Sequence, residues 1–92
     1  LISDVFPQRF DKLSRLLQEE GEYETALEAA MQAANLEPEN PKYLDNMLDL
    51  AILSLDAELS QEVYDRLRMV NPENKKLDSF KQRIADLKQG SE

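Results

Sequence analysis

A short phrase recurs in this chain at a distance of 34 residues, and it constrains the fold more than any other feature. It is Pro-Glu-Asn-Pro-Lys at 38–42 and Pro-Glu-Asn-Lys-Lys at 72–76. A fixed period of about 34 residues is typical of helical hairpins that stack side by side. Such units bury one apolar stripe against each neighbour and display the remaining surface. The repeat therefore favours partner binding over catalysis as the class of function.

Start and stop signals divide the chain into five helices. Pro7 suits a first helical turn, and Gly21 suits the end of that helix. Asn40 with Pro41 predicts the start of the third helix, and Asp56 predicts the cap of the fourth. The second and fourth helices are predicted at 23–36 and 57–70. We therefore predict an all-α fold with these units: an N-terminal segment at 1–6, hairpin repeats at 7–40 and 41–74, a capping helix at 75–88 and a frayed tail at 89–92.

The third predicted helix is apolar on several sides, which is typical of a helix flanked on several sides. We therefore expect it to be the central element. Ile52 and Leu53 add apolar surface beyond what two neighbouring helices need. Exposed apolar surface marks contact sites, so these two residues are candidates for a binding surface. The alternative is that the apolar segment at 1–6 covers them.

Charge and composition exclude several classes of function. Nineteen acidic residues against 11 basic ones give a net charge of −8, which argues against binding to nucleic acid or to a membrane surface. Histidine and cysteine are both absent, so the usual general base, thiol nucleophile and transition-metal ligands are missing. Neither a phosphate-binding glycine loop nor a calcium loop occurs. We expect no enzyme activity, no cofactor and no metal.

We expect neither a membrane span nor a secretory signal in these residues. The longest apolar run, at 47–55, is short and carries Asp49, so we expect no membrane span. The chain begins at Leu1 without the basic and apolar segments of a secretory signal. A start at leucine rather than methionine indicates either processing or a piece of a longer protein. We expect the second, a cytoplasmic module within a longer protein.

Residues 21–38 resemble the second half of a tetratricopeptide repeat. Gly21, Tyr23, Ala26, Ala33 and Pro38 stand where that family has its turn glycine, aromatic residue, two small residues and closing proline. A second copy at 41–74 keeps the pattern at Leu44, Met47, Ser60, Tyr64, Leu67 and Pro72. The resemblance implies two antiparallel helix hairpins in a right-handed superhelical stack, closed by a C-terminal capping helix.

In this family the first helix of each hairpin lines a concave groove that holds a peptide or helix of a partner protein. Asn46 and Lys76 match two positions that some relatives use to clamp a terminal carboxylate, but Asp11 stands where a lysine is needed, so we do not expect a chaperone-tail clamp. The alternative for the charged residues is local ion pairing within solvated helices. The groove candidates are Asp11, Lys12, Arg15, Lys42, Asp45, Asn46, Asp49, Lys76 and Arg83, with Gln8 and Ser79 beside them.

The sequence thus predicts a non-catalytic protein–protein interaction module. Two alternatives stay open. One is a structural or self-associating unit, such as a homodimer formed through the N-terminal apolar segment or the fourth helix. The other is a regulatory domain attached to a signalling or catalytic domain.

Overall fold

The computed structural model describes residues 6–90, which form five α-helices in one consecutive stack. The helices are α1 Pro7–Glu19, α2 Tyr23–Leu36, α3 Pro41–Leu53, α4 Ala57–Val70 and α5 Leu77–Gly90. Helix α1 packs on α2, α2 on α3, α3 on α4, and α4 on α5. Additional contacts join α3 to α1 and to α5. The prediction of an all-α fold with two helix hairpins and a final helix is confirmed.

The helices begin where the sequence supplies a cap or a preset backbone. Pro7 and Pro41 occupy the first turns of α1 and α3. The Asn40 side chain accepts a hydrogen bond from the Lys42 N–H at 2.9 Å, and Asp56 accepts one from the Leu59 N–H at 3.0 Å. These bonds satisfy N–H groups that have no partner within their own helix.

The first helix of each hairpin ends with the same pattern of backbone hydrogen bonds. At the end of α1, Glu22 N–H donates to the Leu17 carbonyl and Gly21 N–H donates to the Gln18 carbonyl. Asp56 and Leu55 make the equivalent bonds at the end of α3. This pair of bonds is the Schellman motif, and it needs a left-handed residue. Gly21 supplies it with a φ of 79°, whereas Leu55 adopts a φ of 63° with a full side chain.

The core is centred on α3, as predicted. Helix α2 approaches its neighbours through Ala26, Ala30 and Ala33, which are at most 1% exposed. Such small side chains let helix backbones lie close together. The residues that α3 buries are Tyr43, Leu44, Asn46, Met47, Leu48, Leu50, Ala51 and Ile52.

The expected apolar excess on α3 is wrong for Ile52. Its side chain is only 8% exposed and belongs to the main core, against which Leu53 also packs. The larger exposed apolar side chains lie elsewhere, at Leu55, Met69 and the outer face of α1. Most of the segment proposed as a cover for Ile52, residues 1–5, lies outside the described residues.

Helix α5 buries one seam, formed by Leu77, Phe80 and Ile84. It begins at Leu77, two residues later than predicted, and continues to Gly90 rather than ending at residue 88. Asn74 accepts a hydrogen bond from the Lys76 N–H at 2.7 Å, as Asn40 does from Lys42. Lysine at position 75 does not preset the backbone as Pro41 does, so residues 75–76 form a turn before the helix. Of the predicted tail, residues 91–92 lie outside the described part.

Candidate functional site

A cavity of about 530 Å³ lies between α1, α3 and the start of α5. Ten side chains line it: Arg15, Gln18, Lys42, Asp45, Asn46, Asp49, Lys76, Ser79, Phe80 and Arg83. Two further hollows of about 610 and 660 Å³ lie along α4 and around the α4–α5 turn, and both are more open to solvent. Among the cavities described, the one between the odd-numbered helices is the most enclosed. We call it the groove.

Ion pairs cross the groove from helix to helix. Lys42 Nζ on α3 lies 4.0 Å from Asp11 Oδ2 on α1. Lys76 Nζ, just before α5, lies 3.2 Å from Asp45 Oδ2 on α3. Both pairs join residues 31 apart, and the second pair is the first displaced by one repeat of 34 residues. The recurrence therefore includes the side-chain contacts between repeats as well as the helix boundaries.

A third cross-helix pair closes the far side of the groove. Arg83 Nη1 donates to Asp49 Oδ1 at 2.8 Å, and Gln18 Nε2 donates to Asp49 Oδ2 at 3.1 Å. Asp49 on α3 thereby joins α1 to α5. The Arg83 guanidinium also lies 5.8 Å from the centre of the Phe80 ring, within the range of a cation–π contact. Arg15 and Asp11, four residues apart on α1, form the kind of ion pair within one helix that the alternative interpretation expects. The pairs of Lys42, Lys76 and Arg83 instead join residues that are distant in the chain.

A buried polar cluster forms the wall of the groove between α1 and α3. Asn46 Nδ2 donates to Ser14 Oγ at 2.7 Å and to Asp11 Oδ1 at 3.3 Å. Ser14 Oγ in turn donates to the Asp11 carbonyl at 2.7 Å. Each of these three residues is at most 6% exposed. Because a buried polar group needs a hydrogen-bond partner, the cluster fixes α3 against α1.

Tyr43 lies on α3 three residues before Asn46 and is 4% exposed. Burial raises the pKa of its phenol above the ordinary value, and the nearby carboxylates of Glu37 and Asp11 raise it further. Each of these effects disfavours the phenolate. The hydroxyl is therefore neutral at physiological pH.

The structure brings seven of the nine predicted groove residues together. Asp11 is close to them but buried behind Arg15 and Lys42, so it positions those two cations and does not itself line the groove. Lys12 is exposed and lines no part of the groove, and neither does Gln8. The seven residues are Arg15, Lys42, Asp45, Asn46, Asp49, Lys76 and Arg83.

Two lining residues, Gln18 and Phe80, were not predicted as groove residues. Gln18 has no charge to mark it, and Phe80 belongs to the apolar seam of α5. The 34-residue register could have found Phe80, because it lies one repeat after the groove residue Asn46.

The groove is chemically suited to hold a polar or charged chain. The side chains of Lys42 and Lys76 are 63% and 67% exposed, although each faces a carboxylate. A ligand carboxylate or carbonyl can therefore reach their ammonium groups without disrupting the buried polar cluster between α1 and α3. Within residues 6–90 no group of three or more acidic side chains is placed to hold a metal ion.

Comparison with known proteins gives no family assignment. A scan against protein-family models finds no match to this chain, and a search of curated proteins finds no significantly similar sequence. Among the described helices, none combines the length and the apolar character that crossing a membrane requires.

Proposed function

We propose that this chain is a non-catalytic, tetratricopeptide-like interaction module whose groove holds a peptide or helix from a partner protein. The observation that carries the proposal is the convergence of seven predicted residues on one cavity between α1, α3 and α5. These residues come from α1, α3, α5 and the turn before α5, at positions 15 to 83 of the chain. Only the stacking of the hairpins brings them together.

The contacts within the groove support a binding surface rather than a reactive centre. Each of the four groove cations lies within 4.0 Å of a carboxylate, but Arg15 and Lys42 share Asp11. The groove therefore has four cations against three carboxylates, so a carboxylate of a partner chain can replace an aspartate in one of these pairs. Exposed ion pairs contribute about 0–1 kcal/mol each, so such an exchange is inexpensive.

The test starts from a random peptide library displayed on phage and selected on the immobilised chain. Enriched peptides are synthesised and titrated into the ¹⁵N-labelled chain. We expect the amide resonances of α1, α3 and α5 that border the groove to shift. A selection without enrichment, or peptides that shift only resonances on the outer faces of α2 and α4, would contradict the proposal.

Variants then separate groove binding from a general charge effect. Lys42→Glu with Lys76→Glu changes two exposed cations of the groove and should weaken peptide binding on the order of tenfold or more. Two exposed cations outside the groove, Lys75 and Lys81, provide a control with the same change in net charge. Lys75→Glu with Lys81→Glu should leave the affinity near that of the parent chain. Equal weakening by both pairs would show that net charge, not the groove, determines binding.

A further inference from the structure

The outer face of α1 and the residue before the helix carry three large apolar side chains that are about half exposed. Phe6, Leu13 and Leu16 are 51%, 46% and 51% exposed. At 100° per residue, Leu13, Leu16 and Arg9 lie on the side of α1 opposite Asp11, whose side chain meets α3. Phe6 precedes the helix, and its ring lies 5.9 Å from the Arg9 guanidinium. This face therefore points away from the stack, and the groove lies on another side of the helix.

The repeat register shows what such a face is built to contact. Leu13 and Leu16 lie 34 residues before Met47 and Leu50 on α3. Met47 and Leu50 are only 4% and 0% exposed, because α3 has α2 packed on one side in addition to α4. Within residues 6–90, α1 has α2 and α3 as its helix neighbours, and no helix precedes it to cover Leu13 and Leu16. The two leucines thus occupy positions that a helix covers in the next repeat.

The charges around this face complement a second copy of the same helix. Helix α1 carries Arg9 and Lys12 in its first part and Glu19 at its end, and Glu20 is its C-cap residue. If two copies of α1 run antiparallel with Leu13 opposite the partner copy's Leu16, then Arg9 lies opposite the partner copy's Glu20. In the same register Lys12 lies beside the partner copy's Glu19. An antiparallel two-fold arrangement forms each of these pairs twice.

The charges on this face allow two copies to meet although the chain is acidic. Arg9 and Lys12 offset Glu19 and Glu20 here, in a chain whose net charge is −8. Two copies that meet at this face therefore bring together surfaces without net charge. The opposite end of the stack does not offer an equivalent apolar face, because α5 exposes Lys81, Ala85 and Asp86 there. Head-to-tail stacking is therefore disfavoured relative to a closed dimer.

We propose that this chain forms a two-fold symmetric homodimer through the outer face of α1, with the two helices antiparallel. The apolar centre consists of Leu13 and Leu16 from each copy, with Phe6 beside them. Arg9–Glu20 and Lys12–Glu19 pairs between copies set the helix direction. The groove stays open in each copy, so the dimer presents two groove sites.

Cysteine cross-linking tests the geometry directly, because the native chain contains no cysteine. Leu13→Cys places a thiol near the proposed two-fold axis, whereas Met69→Cys places one at an 83% exposed position on α4. In a glutathione redox buffer we expect a disulfide-linked dimer from Leu13→Cys at a level at least tenfold above that from Met69→Cys. Equal dimer yields from the two variants would overturn the proposal.

Sedimentation equilibrium with charge-swapped variants tests the helix direction. Arg9→Glu should raise the dimer dissociation constant by on the order of tenfold, because it places like charges opposite each other twice. Combining Arg9→Glu with Glu20→Arg in the same chain rebuilds both pairs and should restore the parent value. A monomeric parent chain at the highest soluble concentration, or a double variant no tighter than Arg9→Glu alone, would refute the antiparallel dimer. Circular dichroism confirms that each variant remains folded, as expected for exposed positions.

Discussion

Leu55 occupies a left-handed backbone conformation that a residue with a Cβ disfavours, and its exposed side chain offsets little of this cost by packing. Its φ is 63° and it is 75% exposed. Left-handed backbone costs a residue with a Cβ about 1–2 kcal/mol relative to glycine. We predict that Leu55→Gly raises the free energy of unfolding by about 1 kcal/mol, since glycine's larger unfolded-state entropy offsets part of the gain. Urea unfolding monitored by circular dichroism measures the change.

Two other variants separate backbone strain from the loss of an exposed side chain. Leu55→Ala keeps a Cβ at the left-handed position and should leave stability within about 0.5 kcal/mol of the parent. Gly21→Ala introduces the strain at the equivalent turn of the first hairpin, where an added Cβ has no atom within 4 Å. It should lower stability by about 1 kcal/mol from the backbone alone. If Leu55→Ala stabilises as much as Leu55→Gly, the strain argument fails.

Tyr43 should make the folded chain less stable at alkaline pH. Its phenol has a raised pKa in the folded chain, first because of burial and then because of Glu37 and Asp11. An acid with a raised native pKa contributes stability that is complete below the unfolded pKa, about 10 for tyrosine, and is lost as pH rises through the native pKa. We predict that the free energy of unfolding of Tyr43→Phe falls less steeply than that of the parent above about pH 10. Denaturant titrations from pH 8 upward compare the two slopes, and identical slopes would contradict the assignment.

At the scale of the helices, the sequence predicted each start that depends on a local signal. Pro7, Asn40 with Pro41, and Asp56 begin helices because their effects act within one turn. The start of α5 was placed two residues early because the repeated phrase has Lys75 in place of Pro41. One substitution in the repeated phrase can therefore shift the start of the helix that follows it.

The candidate site was harder to predict than the helices because its contacts join distant parts of the chain. The repeat register located the polar face of α3 and α5, but it could not show that Asp11 turns inward. That orientation depends on Asn46, which lies 35 residues away and donates to the Asp11 carboxylate. Nor could composition show that Ile52 is covered, since its neighbours come from other helices. Burial is a property of the packed stack, whereas helix boundaries are largely local.

The polar cluster between α1 and α3 should behave as one coupled unit. Asn46→Ala removes the donor to Ser14 and Asp11 and should destabilise the chain by about 2 kcal/mol, because it leaves buried acceptors short of a partner. We predict a coupling of about 1 kcal/mol between Asn46→Ala and Ser14→Ala in a double-mutant cycle.

Ser60 offers the matched control for that cycle. It is equally buried but donates to the Asp56 carbonyl within its own helix. Asn46→Ala and Ser60→Ala should therefore be additive. A coupling for Ser60 as large as that for Ser14 would mean that the cycle reports a general loss of stability and not the cluster.

At the scale of the whole molecule, the cross-helix ion pairs stop where the described stack stops. Lys42 and Lys76 are related by the repeat, and the preceding position in the register is Gln8. Asp11 and Asp45 are related in the same way, and the following position is Ser79. Neither terminal residue carries a charge. The two Lys–Asp pairs therefore join α1 to α3 and α3 to the start of α5. The repeat positions beyond them, Gln8 and Ser79, add no charge that lacks a partner.

A linear stack of this kind should open from its ends. Helix α5 is held by one seam, whereas α3 is packed by helices on several sides. Each hairpin contacts only its neighbours, so a local change should not spread through the whole chain.

We predict that Ile84→Val, which removes one buried methyl group worth about 1 kcal/mol, accelerates amide hydrogen exchange about fivefold in α5 while leaving α1 and α2 unchanged. The mirror variant Ala30→Gly weakens α2 by about 1 kcal/mol and should accelerate exchange in α1 and α2 but not in α5. Exchange that quickens equally along the whole chain in both variants would show that the five helices open as a single cooperative unit.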